Sequence, residues 1–239
     1  MFLTRMRLNP GRRGTRRLVG SPQIMQATLL NCFPPGAAPA SHGTSGSNVR
    51  MLWRLDPGDD GRALTLYVQS PARPDLTQLV EEAGWPASAE TWQSVDCGPL
   101  HDSLATGQRW RFRVTCNPVK RTNLPGGRGP VGSVGSPRRQ EEWLVDRAGR
   151  GGFSIPTTSL LDPAGEPDQL ARQLQVSSRG TLRFDRAAAD RRATVTLSIA
   201  TFDGVLEVTD VGSFRRTLVG GIGRAKAYGC GLLTIAPME

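Results

Sequence analysis

Residues 213–235, SFRRTLVGGIGRAKAYGCGLLTI, read as a short helix (Ser213 to Val219), a loop carrying five glycines and two cations, and a closing apolar strand (Leu232 to Ile235). Glycine permits positive φ and close backbone approach, and successive free N–H groups form an anion-binding concavity. Arg224 and Lys226 add positive charge. The glycine-rich loop 220–231, with Gly221 and Gly223 at its start, therefore predicts a polyanionic ligand; the plain structural alternative is a turn into an edge strand. A dinucleotide fingerprint is excluded, because no third glycine follows Gly223 at the required spacing and no helix with a ribose-binding acid comes after it. No Gly-Lys-Ser/Thr closes the loop, which excludes a nucleotidase phosphate loop as well.

Helix, loop and strand here end an element order that the chain uses twice. Phe2 to Leu8 alternates apolar and polar residues as a strand does and stops at Asn9-Pro10-Gly11. A helix follows, with Ser21 as N-cap, Pro22 in the first turn, and Met25, Thr28, Leu29 and Cys32 on one face. After a Gly/Ala/Pro/Ser linker from Pro34 to Asn48, Met51 to Leu55 and Leu64 to Val68 read as a hairpin. Asp75 begins a second helix with Leu76, Leu79, Val80 and Ala83 inward and Gly84 at its end, and Trp92 to Cys97 is a fourth strand. The second half repeats the order: Trp110 to Val114 alternates, Gln140 to Ala148 is helical, and Val195-Leu197-Ile199 leads through Asp203-Gly204 to Val208. Asp162 to Ala193 is left open between a hairpin and an insertion, and Gly126 to Ser136 reads as a flexible basic loop.

This order predicts an α+β fold of two tandem ferredoxin-like (RRM-like) βαββαβ units, residues 1–98 and 99–239. The basic loop 120–139 and the glycine-rich loop 220–231 both fall in the second.

The net charge of +9 is unevenly spread. Arg5, Arg7, Arg12, Arg13, Arg16, Arg17, Arg50 and Arg54 precede the first acid, Asp56. Lys120, Arg121, Arg128, Arg138 and Arg139 form a second acid-free block, and Arg215, Arg216, Arg224 and Lys226 a third. Should these blocks meet, they make one face suited to phosphate backbones. No RNP octapeptide is present, and the five tryptophans (Trp53, Trp85, Trp92, Trp110 and Trp143) sit at positions that read as core rather than as stacking platforms. Arginine blocks with few aromatics point to folded RNA gripped by its phosphates. The four cysteines lack CxxC spacing and the only histidines are His42 and His101, so neither a zinc site nor a disulfide framework is implied. The opening residues lack the order of a signal peptide and no apolar run reaches about 18 residues, which predicts a cytoplasmic protein with no membrane partner.

Asn117-Pro118-Val119 after the alternating strand, Glu142-Trp143-Leu144, FDGVLEVTD at 202–210, the opening Phe2-Leu3-Thr4-Arg5 and GIGRAKAYGCGLL at 221–233 together resemble the CasE family over nearly the whole chain. These are the CRISPR repeat-RNA endoribonucleases of type I-E systems. The resemblance implies the same fold and no cofactor. It also implies binding of the repeat stem-loop of precursor CRISPR RNA, metal-independent cleavage at its base by 2′-OH attack, and retention on the crRNA 3′ hairpin beside the other Cascade subunits in antiviral defence.

Such cleavage needs a group to take the 2′-hydroxyl proton, another to protonate the leaving oxygen, and donors for the phosphorane. The family's histidine and the tyrosine one turn before it fall at Gln26 and Gln23 when aligned on Ser21-Pro22 and Leu29. Glutamine can position a phosphate but cannot exchange a proton near neutral pH. Lys226 and Tyr228 complete the candidate catalytic set, Lys226 for the phosphorane and Tyr228 as a hydrogen-bond donor; His42 in the linker and His101 are conceivable substitutes. The candidate RNA-binding set is Arg12, Arg13, Arg16, Arg17, Lys120, Arg121, Arg128, Arg138, Arg139, Gly221, Gly223, Arg224 and Lys226. With glutamine at position 26, a hairpin-binding structural subunit that does not cut is the second reading.

Overall fold

Met6 and Leu8 face one way and Arg5 and Arg7 the other, so Phe2–Leu8 can lie as a strand with one face buried and one open. The computed structural model describes residues 1–34, 36, 39, 50–58, 63–124, 127–161, 167–188 and 191–238. The first half runs β1 (Phe2–Leu8), α1 (Arg13–Gly20), α2 (Pro22–Leu30), β2 (Leu52–Pro57), β3 (Leu64–Ser70), α3 (Thr77–Ala83) and β4 (Trp92–Asp96). Its sheet is antiparallel in the order β2-β3-β1-β4. Leu18, Met25, Leu29, Leu76, Leu79, Val80 and Ala83 pack from the helices onto Met6, Leu8, Trp53, Leu66 and Val68.

A short helix α4 (Gly98–Asp102) leads into the second half: β5 (Arg109–Cys116), β6 (Val119–Leu124), β7 (Gly127–Ser133), α5 (Pro137–Ala148), β8 (Phe153–Ser154), β9 (Thr157–Leu161), β10 (Pro167–Arg172), β11 (Leu174–Ala188), β12 (Arg191–Val208), α6 (Val211–Gly220) and β13 (Leu233–Pro237). The main sheet is again antiparallel, ordered β11-β12-β5-β13, with β8 pairing on β12. β6 and β7 form one separate hairpin, β9 and β10 another. Phe112, Val114, Phe202 and Leu206 from the sheet meet Trp143, Leu144, Phe214 and Leu218 from α5 and α6.

Ser21 carries the cap expected of it, its Oγ accepting from the Ile24 N–H at 3.4 Å, whereas α3 has Leu76 at its N-cap without a side-chain bond and Asp75 Oδ1 accepts from the Thr77 N–H at 3.0 Å just ahead of it. Three further features differ from the reading. Arg13–Gly20 is a helix in its own right, and Gly14 lets it approach α3 so closely that a Cβ there would lie 2.4 Å from the Glu82 carbonyl oxygen. Gly127–Ser133 is a strand rather than a loop, because pairing with Val119–Leu124 satisfies a backbone whose glycines alone read as turn. The segment left open before Ala193 is largely the long β11–β12 hairpin.

The two sheets are joined by a buried polar network. Arg54, 2% exposed, makes two hydrogen bonds to Asp56 at 2.7 and 2.8 Å and donates across to the Arg113 and Leu232 carbonyls at 2.9 and 3.0 Å. Arg113 in turn holds Asp203 at 2.6 Å. Gln69 donates to the Leu218 carbonyl at 2.8 Å, which fixes the end of α6 against the first sheet. Arg54 therefore does not join the positive surface expected of its block; burial with a carboxylate and three further acceptors makes it a structural tie. No described helix is long and apolar enough to cross a membrane.

Candidate functional site

The end of α6 and the glycine-rich loop set the site. Gly221 (φ 71°), Gly223 (φ 78°), Gly229 (φ 80°) and Gly231 (φ 92°) all take the left-handed conformation that side chains disfavour. Three of them also leave no room for a side chain, Gly231 because a Cβ there would lie 2.7 Å from the Ile222 carbonyl oxygen. A Cβ on Gly221 would lie 2.8 Å from Leu52 Cδ1, and one on Gly229 2.8 Å from the Trp53 ring. The loop is closed by the Ile222 N–H on the Gly231 carbonyl at 2.9 Å and anchored by the Gly231 N–H on Thr115 at 2.7 Å. Ala225 adopts φ 60° without being glycine, a conformation costing about 1 kcal/mol that the closed loop imposes. It turns the chain into a 3-10 turn, Lys226–Tyr228, which packs against α2 and β2. Among the described residues no acceptor meets the main-chain N–H of Gly223, Arg224 or Ala225, so these donors remain available.

Across from this turn lies α2 with Gln23 and Gln26 one turn apart, both half-buried. The Trp53 indole N–H donates to Gln26 Oε1 at 2.8 Å while the same ring lies against the backbone of Gly229. Trp53 thus ties residue 26 to the glycine loop. Lys226 Nζ donates to the Gly220 carbonyl at 2.6 Å, and burial, with the Arg50 cation beside it, pulls its pKa below the ordinary lysine value. Tyr228 packs its ring on Phe184 of β11 with centroids 4.8 Å apart. The four candidate catalytic residues are thus distributed over two facing elements, α2 and the 226–228 turn. Trp53, Arg50 and Phe184 were not singled out for the site from sequence. Arg50 could have been found in the first basic block, while the roles of Trp53 and Phe184 depend on tertiary contact alone.

The basic residues divide among three places. Arg12 and Arg17 reach α3, Arg12 through the Glu81 carbonyl and Arg17 through the Glu82 carboxylate at 2.6 Å, and Arg13 and Arg16 beside them are exposed. Lys120 and Arg121 are exposed on β6, and Arg121 also donates to the Gly129 carbonyl at 3.0 Å. Arg128 belongs to β7, and Arg138 and Arg139 are exposed on the first turn of α5, Arg138 with Glu142 at 3.5 Å. Between hairpin and helix runs a groove of about 540 Å³ bordered by Lys120, Arg139, Arg147 and Arg150, with the acids Glu142 and Asp146 leaving it net cationic. Arg147 lies over the Trp143 ring at 3.7 Å, and a Cβ on Gly223 would lie 3.1 Å from that ring. Trp143 therefore links the cationic groove to the loop that carries exposed Arg224 and half-buried Lys226.

His101 does not join the site. It lies on α4, where burial and nearby cations lower its pKa and its carbonyl accepts from Arg215 at 2.7 Å; His42 lies outside the described residues. All four cysteines are buried free thiols, and no group of three or more metal-ligating side chains occurs among the described residues.

A family model described as "CRISPR associated protein" matches residues 1–237. The chain is 31% identical over 237 residues to the CRISPR-associated endoribonuclease Cse3 of Thermus thermophilus, spanning 99% of this chain and 100% of that one. It is 25% identical over 190 residues to the CRISPR system Cascade subunit CasE of Escherichia coli, spanning 78% and 89%. Among solved structures it is similar to Thermus thermophilus Cse3 bound to an RNA representing a pre-cleavage complex, with TM-score 0.71 and 29% identity over 99% of this chain and 98% of that one.

Proposed function

Because the chain belongs to the CasE/Cse3 family of CRISPR-associated proteins, we propose that it binds the repeat stem-loop of precursor CRISPR RNA and cleaves at its base. It then stays on the 3′ hairpin of the product as a Cascade subunit, in the cytoplasm with the transcripts it acts on. The observation that carries this reading is the 226–228 turn packed on α2, which brings the loop with Lys226 and the available N–H groups of Gly223, Arg224 and Ala225 beside the helix that carries Gln23 and Gln26. The strand order, second-third-first-fourth in each sheet, supports tandem ferredoxin-like units at 1–98 and 99–239.

In this mechanism the RNA supplies its own nucleophile. A 2′-oxygen attacks the adjacent phosphorus, the P–O5′ bond breaks, and a 2′,3′-cyclic phosphate and a 5′-hydroxyl result. Lys226 and the N–H groups of Gly223, Arg224 and Ala225 stabilise the charge that builds on the phosphoryl oxygens. Gln26 offers a hydrogen bond, and Gln23 and Tyr228 orient the sugar-phosphate. The proton leaving O2′ passes to water or hydroxide, since no amide takes it, and the leaving O5′ draws its proton from water. Cleavage is consequently slow: positioned proton transfer is commonly worth about 10²–10⁴-fold.

The stem is held by its phosphates, with Arg12, Arg13, Arg16 and Arg17 on one side, Lys120, Arg121, Arg128, Arg138 and Arg139 on another, and Gly221, Gly223 and Arg224 at the loop. Glutamine at position 26 favours a second reading, a hairpin-binding subunit that does not cut. The binding claim common to both is tested by titrating a labelled repeat hairpin in EDTA at several salt concentrations. The expected slope of log affinity against log salt is about −4, from roughly five phosphate contacts. Equal affinity for an unstructured RNA of the same length, or a flat salt dependence, would contradict it.

A further inference from the structure

A second cationic surface lies over β1 and β4, on the face of the first sheet whose β2 end is covered by the second half at Leu52 and Arg54. Arg5 stands opposite Tyr67 on β3 and Gln93 on β4, and Arg7 opposite Thr65. A groove of about 330 Å³ runs over Arg5, Arg7, Tyr67 and Trp92. At Arg7 and Glu90 it adjoins another of about 540 Å³, bordered by Arg12 and Trp85. Trp85 is 50% exposed, which is unusual for the largest apolar side chain.

The exposure of Trp85 is built into the backbone. A Cβ on Gly84 would lie 2.9 Å from Val80 Cα and 3.0 Å from the Val80 carbonyl oxygen, so glycine lets the chain leave α3 this close to its own last turn, immediately before Trp85. The following turn is fixed by the Ser88 N–H on the Trp85 carbonyl at 3.0 Å. Expecting all five tryptophans in the core therefore holds for Trp53 and Trp143 and fails at Trp85.

Along these grooves three arginines face one acid. That acid, Glu90, already accepts from Gln93 at 2.6 Å, and Arg5 donates to the other end of the same Gln93 side chain at 2.8 Å. Cations beside one exposed aromatic face, that of Trp85, suit a chain that carries both phosphates and unstacked bases. A folded stem offers the phosphates but keeps its bases stacked. We propose that this face binds a single-stranded RNA segment, with a base stacked on Trp85 and phosphates held by Arg5, Arg7 and Arg12. That the nucleic acid is RNA rests on the function proposed above. Arg12 belongs to both surfaces, so a strand leaving the hairpin can continue onto this one.

The test is fluorescence anisotropy with a labelled ten-nucleotide oligouridylate, beside the repeat hairpin, on the parent and on Trp85→Ala, Trp85→Phe and Arg7→Ala. Trp85→Ala should weaken oligouridylate binding about tenfold or more, with Trp85→Phe close to the parent. Arg7→Ala should lower the salt slope by about 0.7, and all variants should bind the hairpin as the parent does. Loss of oligouridylate binding in Trp85→Ala supports the proposal whether or not the hairpin binds, so the two readings fail separately. No oligouridylate binding, or binding indifferent to Trp85→Ala, would overturn it and leave the exposed indole as a contact for a protein partner.

Discussion

Trp53 and Gln26 are joined by a hydrogen bond of 2.8 Å from the indole nitrogen to Oε1. An indole N–H only donates, so the amide has to turn its oxygen toward Trp53 and its NH₂ group away. Among the described residues that NH₂ group has no acceptor. The helix therefore presents a donor at position 26, suited to a phosphate oxygen and useless as a base.

Replacing Trp53 by phenylalanine removes the bond and keeps most of the packing on Gly229. Stability should fall by about 1 kcal/mol for the lost hydrogen bond, plus the smaller ring's cavity. Cleavage should fall further than hairpin affinity, because Gln26 is left free to rotate. Urea denaturation and single-turnover assays on the same preparation separate the two effects.

Lys226 predicts a pH dependence. Burial and Arg50 depress its pKa in the folded protein below the unfolded value of about 10.4. Between the two values the unfolded chain holds the proton and the folded one does not, so stability rises with pH across that window and the gain is lost as pH falls through the folded pKa. The parent should become more stable relative to Lys226→Met as pH climbs toward 10, as read by urea denaturation. Hairpin affinity should move the opposite way, with the parent losing up to about tenfold as the cation disappears and Lys226→Met showing no such loss.

Arg54→Ala should destabilise the protein by about 3 kcal/mol, since Asp56 loses both its close hydrogen bonds and among the described residues keeps Arg113, at 3.8 Å. Arg54→Met combined with Asp56→Leu should recover most of that, because an apolar pair leaves no buried charge unmatched. Chemical denaturation of the single and double variants checks the order.

The parts of this molecule that sequence showed are those where period and caps coincide. Phe2–Leu8 and Arg109–Cys116 alternate, and Ser21 supplies the bond expected of it. Arg13–Gly20 was missed because glycines at both ends and a run of arginines hide the apolar face, and Gly14 answers to α3 rather than to its own helix. The glycine loop was legible as a loop whose backbone must take positive φ. Its pairing with α2 through Trp53 was not, since that contact joins residues 26, 53 and 229 through space alone.

The most direct measurement is the single-turnover rate on the cognate repeat hairpin, in EDTA, for the parent and Gln26→His. With the phosphate site intact and only a proton-transfer group missing, the histidine variant should cut about 10²-fold faster or more at unchanged hairpin affinity, releasing a 2′,3′-cyclic phosphate. A parent that already cuts fast and is indifferent to Gln26→His would contradict the assignment of position 26. Binding by both proteins with cleavage by neither would contradict the endoribonuclease and leave the hairpin-binding subunit.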